Sequence, residues 1–387
     1  MNIFLTGSTG FLGGELLVNL SKRSEVDKIY CFLRAFSEDE AMIKLENIFR
    51  IHHDYFDEKK IIPIIGNLFD EHLTDFLLNN KTITDTDVII HSAANTSFSK
   101  IYDDMVERAN MGGLEKILLW AKKLPHLQTF LYIGTATICG KDIKNRLIFE
   151  DESPNLAASH LVKYTYTKMH GELIIHKHLP DDKILIARPS IIMGDSRKVV
   201  PRSPVILWAA ATINQLRFIP ADGNSKLDMI PVDYAANAIV CLLFANRKHK
   251  VYHISSGQAA ATTTLKVCNS MEAYFTDLPP FRFVNKSLLN QIKLWAKGKL
   301  QPDSEIYKYP EYLDYWHRVF EDPSALRILL AGLDPYLGFM ELGQVFDNTR
   351  LLQDVPSIQQ SLAADIYINN CMTFIEKIDL LEGALNP

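Results

Sequence analysis

Residues 6–13 read TGSTGFLG, with glycines at 7, 10 and 13, and they lie between the apolar run NIFLTG and the helical pattern GELLVNLSKR. A strand that turns directly into a helix leaves unpaired backbone N–H groups at the positive end of the helix dipole, where an anion is favoured. Side chains at the turn would keep a pyrophosphate away. Gly7 supplies the tight turn, Gly10 the close approach and Gly13 the contact between helix and strand. The spacing is GxxGxxG instead of the usual GxGxxG, and plain turn chemistry also uses glycine. The position, after a strand and before an amphipathic helix, favours a dinucleotide over that alternative, with Ser8, Thr9, Phe11 and Leu12 completing the loop.

Outward from this loop, short apolar runs alternate with helical periodicity. NIFLTG, KIYCFLR, IIPIIGNL, DVIIHSAA, TFLYIGTA and KILIARPS read as strands, with amphipathic segments such as GGLEKILLWAKKL between some of them. Strands apolar throughout are buried on both faces, so the alternation predicts an α/β fold with a parallel, doubly wound sheet and right-handed crossovers. From about residue 195 the pattern loosens through PRSPVILWAAATINQLRFIP and a turn at DGN, before a helix over DYAANAIVCLLFA and a strand VYHISS. The rest is mostly helical. The division expected is residues 1–257 as a dinucleotide-binding domain, with a substrate-lobe insertion at about 195–225, and 258–387 as a smaller, mostly helical substrate lobe.

Bulk properties narrow the function. The chain has 387 residues, 47% hydrophobic and 22% charged, which is a globular composition. A net charge of −5 gives no electrostatic reason to expect a nucleic-acid partner. The five cysteines are scattered and form no CxxC pair, and the histidines show no HExxH spacing, so neither a disulfide framework nor a metal is expected. The stretch from Met1 into NIFLTG lacks the basic start and small-residue cleavage site of a secretory signal, so no leader is expected, and the apolar stretches VILWAAATI and YAANAIVCLLFA are shorter than the ~20 residues a bilayer span needs. A cytoplasmic protein without a transmembrane segment is expected. The lysine-bearing SLLNQIKLWAKGKL leaves room for contact with a membrane surface or an acidic carrier, although a helix packed on the core is the favoured reading.

Candidate chemistry lies in three later stretches. Tyr164 and Lys168, in KYTYTKMHGE, stand four apart and share a helix face. A phenol with a pKa near ~10 is a poor acid-base group at neutral pH unless a cation stabilises its phenolate, and Lys168 is placed to do so. Tyr166, two residues from Lys168, points elsewhere. An isolated YxxxK match is weak, but Thr135 at the end of a preceding strand and the glycine loop supply other needs of hydride transfer. Arg34, at the end of the second strand, stands where such folds often carry an acid for the ribose hydroxyl. Its guanidinium suits a 2′-phosphate, which favours NADPH over NADH. The bland alternative is a solvated arginine beside the acidic SEDE.

Taken in order, TGSTGFLG, HSAANTSF, RANMGG, IGTA, YTYTK and ARPSIIMG resemble the extended short-chain dehydrogenase/reductase superfamily over about residues 1–257. The phrases CFLRAFSEDEAMIKL, IIPIIGNLFDEHL and LDMIPVDYAANAI are similar to its thioester reductase and fatty acyl reductase branch, which carries a male-sterility-like NAD-binding domain. The resemblance implies a Rossmann-like fold. It makes Thr135 the carbonyl-binding hydroxyl, Tyr164 the acid-base, Lys168 the ribose-binding amine that tunes it, and Asn110 the support of a proton relay. It adds Lys44 to Arg34 at the 2′-phosphate, Asn67 and Leu68 at the adenine edge, Ala93 and Ala94 in the cofactor channel, and Pro189 and Ser190 at the nicotinamide pocket. The sequence departs from the branch with IGTA for STA and YTYTK for YxxSK.

What the resemblance implies is NADPH-dependent reduction of an acyl thioester, carried on coenzyme A or on a carrier protein's phosphopantetheine, to an aldehyde or on to an alcohol. The rivals are a sugar-nucleotide epimerase or hydroxysteroid-type dehydrogenase, and a protein that binds NADPH without turnover. Phe281, Phe283, Trp295, Tyr307, Tyr312, Tyr315, Trp316 and Phe320 are candidates for an acyl pocket, with core packing as their alternative use.

Overall fold

In the computed structural model, which describes residues 1–203, 206–320 and 324–385, seven parallel strands form one sheet. They are β1 (Asn2–Thr6), β2 (Lys28–Leu33), β3 (Ile61–Ile65), β4 (Val88–His91), β5 (Thr129–Ile133), β6 (Ile184–Pro189) and β7 (Val251–Ile254). Their order across the sheet is β3-β2-β1-β4-β5-β6-β7. Every strand read from the sequence is present. The chain reverses direction across the sheet beside β1 and β4, whose register pairs Ile3 with Val88 and Thr6 with His91. A crevice opens at the carboxyl ends of such strands, and ligands of this fold class bind there.

Both faces of the sheet are covered, which is why its strands are apolar throughout. On one face Ile3, Leu5, Ile29, Ile90 and Leu131 pack with α1 (Phe11–Ser21), α2 (Glu38–Arg50) and, near its carboxyl end, Ala235, Ala236 and Ile239. On the other, Phe4, Tyr30, Ile89 and Phe130 meet Leu73 and Leu77 of α3 (Leu73–Asn79) together with Leu114, Ile117, Leu118 and Trp120. Burying each such aliphatic side chain is worth about 1.5–3 kcal/mol, so the two layers fix the strand ends from which the loops project.

A separate core gathers residues 193–229 with 267–375, centred on Trp208, Phe218, Trp316, Leu329 and Tyr367. The chain does not stay in this lobe after residue 258. Val345–Phe346 pairs in parallel with Leu147–Ile148, and Leu351, Val355 and Ile358 pack back on the sheet layer. The helical pattern of the tail gave no sign of this return, because a two-residue strand carries almost no periodic signal. Pro204 and Val205, within the PRSPVILW stretch, lie outside the described residues.

Candidate active site

The glycine loop forms the floor of the site. Gly7 has φ +75°, and a Cβ there would stand 2.7 Å from the Ala93 nitrogen at the end of β4. A Cβ on Gly13 would fall 1.9 Å from the Gly7 carbonyl oxygen, so only glycine lets α1 start this close to the turn. Gly10 caps α1 in extended conformation, donates its N–H to the Gly7 carbonyl at 2.9 Å and offers no side chain to the helix end. The first turn of α1 contains no acid. Its N–H groups are thus free for an anion, and the bare backbone fits a dinucleotide pyrophosphate.

Thr6 and His91 lock this floor to β4. The two side chains are 3.1 Å apart, and the Ala93 N–H donates to Thr6 Oγ1 at 3.0 Å. Both are fully buried, and burial pushes the His91 imidazole down to about 3, with the Lys168 charge adding to the effect. A cavity of about 980 Å³ rises from the loop. Its wall includes Gly7, Thr9, Gly10, Phe11, Leu12, Gly13, Arg34, Asn67, Leu68, Ala93 and Ala94, then Thr135, Tyr164, Lys168, Pro189 and Ser190.

Three expected residues lie elsewhere. Ser8 is fully buried behind the loop. The Lys44 ammonium binds the Glu40 carboxylate at 2.6 Å and the Arg34 carbonyl at 3.0 Å, so its charge is already matched within the protein. Asn110 is buried in a π-helical turn (Arg108–Gly112) between α4 (Asp103–Glu107) and α5 (Gly113–Ala121). Its carbonyl accepts from the Asn95 N–H at 2.7 Å, and its amide donates to the Asn95 carbonyl and to Thr167 Oγ1, each at 3.0 Å. With those bonds made, Asn110 clamps the loop after β4 to α6 (Lys163–His178) and does not reach the cavity.

Tyr164 and Lys168 lie one turn apart on α6, with the Lys168 Nζ 5.9 Å from the Tyr164 ring centre. The ammonium donates to the Ile133 carbonyl at 2.7 Å and sits 4.8 Å from the Tyr132 ring. Burial pushes the Tyr164 phenol up to about 12 and the Lys168 amine down to about 7, the latter opposed by the Glu172 carboxylate. The phenol therefore keeps its proton across the neutral range. Burial disfavours both charged forms, the phenolate and the ammonium, and the amine one turn along α6 is the group placed to act on the phenol.

Thr135, at the end of β5, caps a short 3₁₀ turn (Ala136–Cys139), and its hydroxyl is 3.0 Å from that of Thr137. Thr137 also lines the cavity. Beyond Tyr164 the wall is mostly apolar. Phe98 lies 6.2 Å from the Tyr164 ring, 5.0 Å from Tyr336 and 5.3 Å from Phe339. Ile206, Ala209, Ala210 and Ile213 come from α7 (Leu207–Leu216) and the residue before it. Thr264, Val267, Cys268 and Met271 come from the helix Thr264–Tyr274.

These residues are not the aromatics expected for this wall. Tyr312 and Trp316 instead pack around Phe218, Phe281 is buried in the same core, and Phe283 and Tyr307 are exposed. The spacing of 264, 267, 268 and 271 marks one helix face and is the signal from which this wall could be read.

Comparisons with known proteins agree with this architecture. Residues 5–239 match the NAD-binding domain family described as male sterility protein. Fatty acyl-CoA reductase 2 of Mus musculus is 26% identical over 304 residues, covering 66% of this chain and 58% of the mouse protein. Probable fatty acyl-CoA reductase 5 of Arabidopsis thaliana is 24% identical, over 76% of this chain and 73% of that protein. The crystal structure of the terminal R domain of the myxalamid PKS-NRPS pathway superposes with a TM-score of 0.72 at 22% identity, covering 97% of this chain and 90% of that one. At that identity the likeness shows the fold.

Proposed function

The chain belongs to the male sterility protein family of NAD-binding domains, and from that premise we propose that it is an oxidoreductase that reduces acyl thioesters with NADPH. One observation carries the reading: a single cavity joins the bare glycine loop, the Thr135–Tyr164–Lys168 group and an apolar wall in the helical lobe. Fatty acyl-CoA reductase relatives support an acyl thioester as substrate.

The nicotinamide, when bound, supplies a hydride. The protein's part begins with the thioester carbonyl held between Thr135 and Tyr164, whose hydroxyls face the oxygen on which negative charge develops. Donors preorganised in a dry site are worth about 3–4 kcal/mol each to such a step. Tyr164 gives its proton to that oxygen, forming a hemithioacetal. Collapse then breaks the carbon–sulfur bond, and the thiolate leaves as the aldehyde carbonyl forms, with the hydroxyl proton going to sulfur. The same groups would take an aldehyde on to an alcohol with a second hydride.

NADPH is preferred over NADH because Arg34, on the rim of the cavity and exposed, makes no ion pair among the described residues and is free to meet a 2′-phosphate. Pro189 and Ser190 close the nicotinamide end, and Asn67 and Leu68 the adenine end. The acyl group enters the apolar wall, whether its carrier is coenzyme A or a protein-bound phosphopantetheine. That wall argues against a sugar nucleotide, whose hydroxyls would lose water without gaining partners. A reducing, cytoplasmic setting suits the five free cysteines.

The test is product analysis from a panel of coenzyme A and carrier-bound thioesters incubated with NADPH. Aldehyde or alcohol with free thiol is expected. Turnover of UDP-sugars or hydroxysteroids with intact thioesters would overturn the reading.

A further inference from the structure

Behind Lys168 stands a buried ion pair that the mechanism above does not use. Glu172, one turn further along α6, and Arg188, in β6, are 1% and 3% exposed. Arg188 grips the carboxylate with both arms of its fork, Nε to Oε1 at 2.9 Å and Nη2 to Oε2 at 2.7 Å, while Nη1 donates to the Glu152 carbonyl at 3.0 Å. Removing two charges from water costs about as much as their attraction returns, so a buried pair of this kind is not explained by stability. Its position suggests another reason. A Cβ on Gly134, the residue before Thr135, would stand 3.2 Å from Glu172 Oε1, so the carboxylate sits directly under the catalytic end of β5.

Every charge near Lys168 has an identifiable source. His91 reaches it from β4 as a neutral ring, and Tyr132 from β5 as a protonated phenol. Tyr164 and Glu172 share its helix. The other faces of α6 carry the Glu107–Lys163 pair toward α4 and the Glu115–His178 pair toward α5. Among the described residues, Glu172 alone acts on the lysine as an anion.

We infer that Glu172, oriented by Arg188, is a positioning residue of the reaction: its carboxylate holds the Lys168 amine in the charged form beside Tyr164, so that the phenol releases its proton readily. This rests on the reductase reading. Burial alone works in the opposite direction on the amine, and the fixed anion is what resists it.

The experiment compares pH profiles of kcat for NADPH oxidation with an acyl-CoA substrate in wild type, Glu172→Gln, Glu172→Asp and Arg188→Gln. Loss of the anion should move the alkaline limb of Glu172→Gln toward acid by about one pH unit. Activity at pH 8 would then fall about tenfold, while that at about pH 5 stays near wild type. Glu172→Asp should restore the limb. Arg188→Gln leaves the carboxylate uncompensated and should move the limb the other way. Opposite movements are the signature of a field; a merely structural pair gives uniform losses of one sign. Either neutral variant decides the matter if the other does not fold. Superimposable limbs, or a uniform loss that Glu172→Asp does not rescue, overturn the inference. A wild type that never reduces thioesters would instead overturn the reading beneath it.

Discussion

In the proposed reaction Tyr164 and Lys168 divide the work of one proton transfer, and their environment sets the direction in which they do it. The phenol, raised to about 12, stays protonated through the working range, whereas the amine, lowered to about 7, loses its charge as pH rises through neutrality. The ammonium form favours release of the phenolic proton, so kcat for reduction should be highest below pH 7 and fall as pH rises through that value, checked by a steady-state pH series. Thr135→Val, which removes one donor to the developing oxyanion, should lower kcat by about 10²–10³ with little change in the KM for NADPH. At this scale the sequence was informative about identity. Residues 135, 164 and 168 are marked by spacing, and the cavity brings them together. Their electrostatics were not legible, because burial depends on neighbours such as Tyr132 and Glu172 that no local pattern assigns to the site. Asn110 shows the same limit, since its partners are the Asn95 backbone and Thr167.

At the scale of elements, two helical glycines make opposite demands. Gly13 in α1 has no room, with the Gly7 carbonyl 1.9 Å from an added Cβ, whereas Gly112 in the π-helical turn has nothing within 4 Å. Gly13→Ala should therefore displace the start of α1, cost about 1–3 kcal/mol in stability and weaken NADPH binding severely. Gly112→Ala should leave binding unchanged and stabilise the fold by about 0.4–1 kcal/mol. Thermal unfolding and cofactor titration of the two variants check both outcomes. The strand, glycine turn and helix were readable because each is a local signal. The π-helical turn was not, since its extra residue is fixed by the Asn110 bonds between α6 and the loop after β4.

The whole molecule sets a dinucleotide crevice against an apolar lobe built from residues distant in sequence. The wall draws on segments near 98, 206–213, 264–271 and 336–340, and only their packing together makes a pocket. That is why the exposed or core-packed aromatics near 281–320 were poor guides to it. Ala210, 9% exposed and on this wall, offers a direct probe. Ala210→Trp should reduce kcat/KM for long acyl chains far more than for short ones, measured across a chain-length series. The central claim, that hydride from the nicotinamide reaches a thioester carbonyl, is tested most directly with NADPH deuterated at the reactive position of its ring and an acyl-CoA substrate. Mass analysis should find deuterium on C1 of the aldehyde or alcohol, one free thiol for each acyl group released, and no label when Tyr164→Phe binds the cofactor but cannot turn over. Release of thiol without deuterium at C1 would contradict the account.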